Sequence, residues 1–384
     1  MLIPVMLESS YRHSIWARQT MDGLQREASR KKYTVVQLEA DDYESIDPDD
    51  LFGSQQRLII VIGTSISWMP KVLEHFTRKG VKCILISFNP AESTVAQGIV
   101  RMDHASGMRM ILSYLQQCQK QRIALYGFNP NSSADMIKKE CFDAWTASCG
   151  QGESFSAFDN PASMEACYQA FRSQRERYDA VICANDIVAA SLLRRLQTDH
   201  VRVPEDLFLT SFGNSALSAH VCPSITSVTL EHEELGRQAV NLYAFLHKQE
   251  AATSVSVRIR CKLIVRDSTA LLPFDETAAL ELPQSNYVSN VNFYSDPETD
   301  RLMCAETLLD SCDDIDLAFL KGMLAGLSTE ALEERLFLSA SALRYRLKRI
   351  MSLAGCKTRA EFQEFLQMCR ELHFFEDKVR EGVT

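Results

Sequence analysis

A run of basic residues near the C-terminus is the part of the sequence best suited to bind a polyanion. Between Arg344 and Arg359 the chain has six Lys or Arg residues and no acidic residue, although its formal net charge is −9. Such a patch attracts phosphate groups locally even when the whole protein is acidic. We therefore expect DNA as a partner. The alternative is a solvated basic face on a structural or dimerisation helix.

The residues around this run predict four short helices separated by tight turns. Gly326 ends the first helix, Ser328 caps the second, and Ser339 caps the third. Thr358 and Glu361 form a capping box that opens the fourth helix. A short helix, a tight turn and a longer basic helix are typical of a helix-turn-helix motif.

Helical periodicity divides the third of these helices into an apolar face and a polar face. The apolar face must be core and holds Leu343, Leu347, Ile350 and Ala354. We expect the remaining surface, with the start of the next helix, to bind DNA through Ser341, Arg344, Tyr345, Arg346, Lys348, Arg349 and Arg359. Arg344, Tyr345 and Lys348 should face base edges, whereas Arg346, Arg349 and Arg359 should lie nearer the phosphates.

Recognisable catalytic and metal-binding motifs are absent from the sequence. It contains no GxSxG, P-loop, GxGxxG or HExxH sequence, and the segment from His232 to Gly236 lacks the second histidine of a zinc motif. The eight histidines are spread singly, and the twelve cysteines include no CxxC pair. We expect reduced cysteines, no metal, no cofactor and no enzymatic activity.

The apolar runs also bear on where the protein resides. None approaches the roughly 20 residues that span a bilayer. The first ten residues lack the basic and apolar regions of a secretory signal. We therefore expect a cytoplasmic protein that does not enter a membrane.

Strand-length apolar runs alternate with helical segments from Leu2 to about Thr269. The runs are Ile3–Leu7, Thr34–Leu38, Leu58–Ile62, Val81–Ser87, Ile123–Gly127, Ala180–Ala184 and Leu207–Phe212. This alternation predicts an α/β fold with doubly wound parallel sheets, and residues 1–270 suffice for two lobes. Residues 271–312 are polar and predict a linker, with a short hairpin around Tyr287 to Tyr294. Residues 313–375 predict the all-α domain.

Four segments of the first part resemble the LacI family of regulators. They are YDAVICANDIVAASLLRRLQTDHVRVPEDLFLTSFG, IVRMDHASGMRMILSYL, TSVTLEHEELGRQAV and CKLIVRDST. The resemblance covers nearly all of residues 1–270. It implies a periplasmic-binding-protein-like fold with two Rossmann-like lobes, three crossovers and a ligand between the lobes. Members of this family carry an N-terminal DNA-binding headpiece, whereas Leu2 already begins the first predicted strand here.

The carboxyl ends of parallel strands are where open α/β sheets bind ligands, and polar residues follow several predicted strands. The residues after the first strand offer a hydroxyl, a cation and an aromatic face to a sugar or another small polar effector, although Trp16 would serve equally as packing between the lobes. Backbone N–H groups near Asn131 would receive an anionic or hydroxylated ligand. The candidates from this reasoning are Tyr11, Arg12, Trp16, Asn131, Ser132 and Asn185.

The resemblance adds four positions to this site. It places Asp103 beside the effector, although this residue also suits a helix N-cap. Lys138 lies where family members usually have an effector-binding Arg, so the charge is kept and the bidentate fork is lost. Phe158 matches a pocket wall, and Asn214 follows Gly213, where sugar-binding members typically have Asp. The loss of that Asp argues against a simple hexose.

The C-terminal segment resembles two helix-turn-helix families. GLSTEALEERLFLSASAL followed by KTRAEF is similar to the LuxR type, and ALRYRLKRI followed by LAG is similar to the PucR type. Both imply that the third helix enters the major groove, although the LuxR type commonly has Thr and His at Ala342 and Arg346. We expect a homodimeric transcription regulator. The alternative is a ligand sensor whose helical domain binds a protein.

Overall fold

Two α/β lobes and a C-terminal helical unit, residues 297–371, make up the structure, which is a computed structural model. It describes residues 1–53, 57–87, 96–149, 155–160, 163–248, 254–269, 272–274 and 296–374. Elements are numbered along the chain. Within these ranges, no helix is long and apolar enough to cross a membrane.

Lobe 1 is built on a parallel sheet of six strands in the order β11-β5-β4-β3-β1-β2. Its strands are β1 (Leu2–Leu7), β2 (Thr34–Leu38), β3 (Leu58–Ile62), β4 (Lys82–Ile86), β5 (Gly98–Met102) and β11 (Val255–Ile259). Its helices are α1 (Ile15–Arg30), α2 (Pro48–Phe52), α3 (Met69–Arg78) and α9 (His232–Leu246).

Lobe 2 repeats this plan with the order β12-β10-β9-β8-β6-β7, in which only β12 is antiparallel to its neighbour. Its strands are β6 (Ile123–Phe128), β7 (Phe155–Asp159), β8 (Ala180–Cys183), β9 (Phe208–Gly213), β10 (Thr226–Thr229) and β12 (Leu263–Ile264). Its helices are α4 (His104–Gln117), α5 (Ser133–Cys149), α6 (Met164–Arg172), α7 (Asp186–Thr198) and α8 (Ala216–His220). All seven strands predicted from apolar runs are present.

The chain crosses between the lobes three times. The crossings follow β5, follow β10, and lie between β11 and β12. His104 begins α4 and His232 begins α9, so each histidine is the first helical residue after a crossing. These two side chains therefore lie at the hinge.

Helices α1 and α9 cover lobe 1 in direct backbone contact. A Cβ placed on Gly236 would lie 1.9 Å from the carbonyl oxygen of Thr20, and one on Gly23 would lie 2.0 Å from that of Glu233. Only glycine permits this approach. The close packing fixes α1, whose first turn carries Trp16, against lobe 1.

The C-terminal helices begin earlier than the sequence predicts. They are α10 (Pro297–Ser311), α11 (Asp314–Leu324), α12 (Thr329–Leu336), α13 (Ala340–Leu353) and α14 (Arg359–Glu371). Helix α10 lies inside residues 271–312, so the prediction that this whole range is a linker was wrong. The hairpin predicted around Tyr287 to Tyr294 lies outside the described residues. Asp296 caps α10 and Pro297 follows at its first position, which is the sequence signal for this helix.

Helix α10 packs against lobe 2 instead of standing apart from it. Leu302, Leu308 and Leu309 are buried in one hydrophobic cluster that joins lobe 2 to helices α11–α14. The Glu298 carboxylate accepts hydrogen bonds from Arg194 at 3.0 Å and from Arg195 at 2.7 Å. The helical unit and lobe 2 therefore share a core.

Candidate functional site

A pocket lies between the lobes at the carboxyl ends of their strands. Its wall comes from segments that follow β1, β3, β4 and β5 in lobe 1, and from the ends of β6, β8 and β9 in lobe 2. Five of the ten predicted effector residues line it, namely Tyr11, Trp16, Ser132, Lys138 and Asn185. The strand-end argument thus locates the pocket correctly.

The lobe 1 side of the pocket is aromatic. The rings of Tyr11 and Trp16 lie 5.3 Å apart at 59°, and the ring of His232 lies 6.2 Å from that of Trp16. Burial, with a smaller contribution from Glu8, raises the pKa of Tyr11, so its hydroxyl stays protonated. This wall suits the flat or apolar part of a ligand.

Lys138 sits on the lobe 2 side with its charge already compensated. Its Nζ donates to Asp135 Oδ1 at 2.8 Å and to the carbonyl oxygen of Ala184 at 2.7 Å, and lies 4.8 Å from the ring centre of Phe212. A lysine ammonium has three donors, and two of them bind protein oxygens here. Lys138 therefore offers at most one donor to a ligand, although its charge still acts on neighbouring groups.

Asn185 and Asp186 fix the end of β8. The Asn185 side chain caps α7 by accepting the N–H of Val188 at 3.0 Å. The Asp186 carboxylate accepts from Ser227 Oγ at 2.8 Å, from the N–H of Ser215 at 2.7 Å, and from Ser211 Oγ. Asp186 also lines the pocket, although it was absent from the predicted site.

Gly213 departs from the sugar-binding pattern for a steric reason. Its φ of +135° is one that L side chains rarely adopt, and a Cβ there would lie 2.7 Å from Asp186 Oδ2. The hydrogen-bonded Asp186 carboxylate therefore excludes a side chain at position 213.

The helical unit contributes Glu306 to the pocket wall, which the sequence did not reveal. This residue lies on α10, is 2% exposed, and accepts the N–H groups of Ala216 at 3.0 Å and Leu217 at 2.6 Å. Burial, together with the nearby charge of Asp186, raises the pKa of Glu306 to about 7. These two backbone hydrogen bonds and one from the Ser215 side chain oppose this rise without cancelling it.

The two hinge histidines also line the pocket. Nδ1 of His104 and Nδ1 of His232 are both buried and have no hydrogen-bond partner within the described part of the chain. Burial, followed by the charge of Lys138, lowers the pKa of His104 well below its usual value and that of His232 to about 4. Both imidazoles are therefore neutral near pH 7.

Asn131 connects the lobes instead of lining the pocket. Its Oδ1 accepts the N–H of Ser67 at 3.0 Å, and its carbonyl oxygen accepts the N–H of Ile66 at 2.9 Å. Ser133 donates its N–H to the carbonyl oxygen of Thr64 at 2.9 Å. These bonds hold the lobes together beyond the hinge, and they correct the prediction that Asn131 contacts the effector.

Two further residues that were predicted to contact the effector have side chains directed away from the pocket. Arg12 is partly exposed and binds the Glu39 carboxylate at 2.7 Å, so it does not line the pocket. Phe158 is buried in the core of lobe 2, with its ring 5.5 Å from that of Phe171 and 5.9 Å from that of Tyr178. The ion pair directs Arg12 away from the pocket, and packing in the core of lobe 2 directs Phe158 away from it. Both predictions were therefore wrong.

Asp103 and Asn214 serve the backbone around the pocket. Asp103 caps α4 by accepting the N–H of Ser106 at 3.1 Å, as expected of an N-cap, and is not part of the pocket wall. Asn214 accepts a hydrogen bond from Arg266 and donates its own N–H to Ser227 Oγ at 2.9 Å. The structure therefore gives neither residue the predicted place beside the effector.

The predicted faces of the basic helix α13 are present. Its N-cap is Ser339, and Leu343, Ile350 and Ala354 are buried, whereas Leu347, which was also predicted to be core, is only partly buried. Helix α12 is capped at its C-terminus by Phe337, which adopts a left-handed φ of 54° and is 94% exposed. Of the residues predicted to contact DNA, those that are exposed are Ser341, Arg344, Tyr345 and Lys348 on α13 and Arg359 at the start of α14.

Arg346 and Arg349 hold helices together, so their predicted phosphate contacts are corrected. Both bind the carboxylate of Asp316 on α11, which is fully buried. Arg346 also binds Asp313 at 2.9 Å, and Arg349 donates to the carbonyl oxygen of Ser311 at 2.9 Å. Their charges compensate buried acceptors within the protein and are not free for phosphate.

The fold and pocket define a two-lobed, type I periplasmic-binding-protein-like domain. Residues 112–269 match the model of the periplasmic binding protein-like domain. The chain is similar in fold to a CelR–cellobiose complex, with 19% identity, a TM-score of 0.57, and coverage of 70% of this chain and 84% of that one. The lac repressor dimer bound to operator and an anti-inducer gives 17% identity, a TM-score of 0.59, and coverage of 70% and 93%. The fold is therefore LacI-like.

The relatives found by sequence are transcription regulators. The regulator GalR of Streptococcus thermophilus is 36% identical over 94 residues, which are 24% of this chain and 28% of that protein. The repressor CytR of Escherichia coli is 33% identical over 94 residues, with the same coverage. The chain thus spans under a third of the length of these relatives, which are named as regulators and not as enzymes.

We predict that Glu306→Gln makes stability less dependent on pH. The raised pKa means that Glu306 stabilises the fold fully below pH 4.5 and loses this contribution as pH rises through about 7. A tenfold change in proton affinity corresponds to about 1.4 kcal/mol, so from pH 5 to pH 8 the variant should gain on the order of 2 kcal/mol over wild type. Urea unfolding at several pH values measures the difference. Parallel stability curves for the two proteins would contradict the assignment.

Proposed function

We propose that the chain is a ligand-responsive, DNA-binding transcription regulator. A small polar effector occupies the pocket between the lobes, and α12, the turn and α13 read DNA. The observation that carries this proposal is the basic face of α13, which is exposed on a helical unit that also contributes Glu306 to the pocket.

The DNA-binding surface is smaller than the sequence suggested. Arg344, Tyr345 and Lys348 project from one face of α13, and Tyr345 is 72% exposed. These side chains are suited to base edges in the major groove. Ser341 in the first turn and Arg359 on α14 are suited to phosphates. The relatives named above are helix-turn-helix regulators, and the C-terminal position of the motif is our assignment.

Helix α10 offers a route from the effector to the DNA. Glu306 touches the pocket, and Asp310, nearer the end of the same helix, binds Arg18 of α1 in lobe 1 at 3.0 Å. On its other side α10 binds α14, where Arg301 meets Glu364 at 2.6 Å, and packs against α13. A change in lobe closure would therefore shift α10 and the recognition helix with it.

A second candidate function is a sensor whose helical unit binds a protein. It is favoured by Phe337, whose ring is almost fully exposed in the turn before α13. Exposed large aromatic side chains are enriched at protein interfaces. If every α13 variant described below binds DNA as well as the wild type does, this alternative is favoured.

We further propose that the chain acts as a homodimer, as the lac repressor does in its operator complex. One recognition helix contacts too little DNA for high specificity, and two half-sites supply the remainder. Sedimentation of the protein with a selected duplex should give two chains per duplex. A mass of one chain, with and without DNA, would count against dimerisation.

The function is tested by titrating variants against DNA selected from a random pool and against scrambled DNA, at several salt concentrations. Arg344→Ala and Lys348→Ala should lose about 1 to 3 kcal/mol of discrimination for each base contact removed. Arg359→Ala should weaken both DNAs alike and flatten the plot of log K against log salt by about one unit.

The matched control in this titration is Arg349→Ala, because it removes a positive charge that Asp316 already compensates. It should lower the melting temperature more than it changes the salt dependence of binding. If Lys348→Ala and Arg359→Ala reduce both affinities by the same factor, α13 does not read bases.

A further inference from the structure

The Glu306 carboxylate is an acceptor in the pocket wall that keeps unused hydrogen-bonding capacity. Each Glu306 oxygen accepts one backbone N–H, and a carboxylate oxygen takes about two hydrogen bonds. The neutral imidazoles of His104 and His232 each hold one N–H donor and one acceptor, and their buried Nδ1 atoms have no partner among the described residues, so they favour neither kind of ligand group. In contrast, two of the three donors of Lys138 already bind protein oxygens. A ligand group that binds the carboxylate of Glu306 must therefore donate to it.

The charges of the described pocket residues also favour a ligand group that binds Glu306 as a donor. The wall holds three carboxylates, on Asp135, Asp186 and Glu306, and one ammonium, on Lys138. Lys138 compensates Asp135, and Asp186 is surrounded by three donors and lies in the field of Arg266. Glu306 is left with two backbone N–H groups and the Ser215 hydroxyl, and it is paired with no cation among the described residues that line the pocket. Burial, followed by the charge of Asp186, raises its pKa.

The position of Glu306 in the chain makes it distinct from the rest of the pocket. It lies outside residues 112–269, which match the periplasmic binding protein-like domain, and reaches the pocket from α10. The aromatic wall of Tyr11 and Trp16 belongs to lobe 1, whereas Glu306 is fixed to the start of α8 in lobe 2. A ligand that contacts both would span the cleft.

We propose that Glu306 is an effector-contacting residue and that the effector carries a protonated nitrogen, such as a primary amine, which binds this carboxylate. This inference rests on the proposal that the interlobe pocket holds the effector. An ammonium group brings three donors and a positive charge that pairs with the charged form of Glu306, and the aromatic wall stabilises a cation further. A neutral hydroxyl compound can donate, but it adds no charge to pair with that carboxylate.

The test uses two pairs of probes that differ by an amine and a hydroxyl, namely glucosamine with glucose, and tyramine with tyrosol. Each is added at millimolar concentration to the full chain, and the melting temperature and dissociation constant are measured. We expect at least one amine to stabilise the protein and its hydroxyl partner to do so much less. In Glu306→Gln the dissociation constant of that amine should rise about tenfold or more.

The matched control is Glu298→Gln on the same helix. Glu298 binds Arg194 and Arg195 and does not line the pocket, so the dissociation constant of the amine should change less than about twofold. If Glu306→Gln does not fold, the paired probes on the wild-type protein still decide the question.

Three results would overturn the inference. These are equal stabilisation by amine and hydroxyl partners, equal amine affinity in wild type and Glu306→Gln, and no stabilisation by either amine. Stabilisation by the hydroxyl compounds alone would show a neutral-ligand pocket, so the inference would fail and the proposed function would stand. The proposed DNA reading is tested without any effector, by the titration of the α13 variants, and its failure is therefore recognised separately.

Discussion

The contact between the Glu306 carboxylate and the backbone N–H groups of Ala216 and Leu217 joins the C-terminal helices to the pocket. It places a buried acidic group from α10 at the end of β9, where the sheet of lobe 2 opens into the cleft. Because an unpaired carboxylate is costly to bury, this position requires the two donors and the close packing around it. The placement of α10, and of the helices that follow it, depends on this docking.

Charged groups elsewhere on the helical unit follow the same logic. The Asp316 carboxylate is fully buried between Arg346 and Arg349, and the partly buried Glu298 pairs with the buried Arg195. Removing one partner of a buried pair leaves an uncompensated charge and is strongly destabilising, whereas the intact pair fixes a single arrangement of the helices. The basic run of α13 therefore has two roles. Arg346 and Arg349 assemble the unit, and Arg344 and Lys348 remain exposed.

The sequence predicts the elements of this protein better than their contacts. Buried strands such as Leu58–Ile62 are evident as apolar runs, and the caps at Ser328, Ser339 and Thr358 mark helix starts correctly. Some strands that were not predicted, such as Phe155–Asp159, lie at sheet edges with mixed burial, so they lack the continuous apolar signal. The interior strands Gly98–Met102 and Thr226–Thr229 were missed because Gly, Arg, Ser and Thr interrupt their apolar residues.

The pocket could be predicted only in part. Strand ends locate Tyr11 and Trp16, because parallel strands bring their carboxyl ends to one edge of the sheet. The direction of each side chain depends on partners distant in sequence, such as Glu39 for Arg12. Glu306 was missed because it comes from a range that was interpreted as a linker, and no local pattern connects it to β9.

Native-state hydrogen exchange in increasing denaturant tests most directly whether the helical unit and lobe 2 form one body joined through α10. The account predicts that the slowest amides of α10 and α14 reach the same free energy of opening as those of β8 and β9, with the same dependence on denaturant. It would be contradicted if residues 297–371 opened in a separate step of lower free energy while lobe 2 stayed protected.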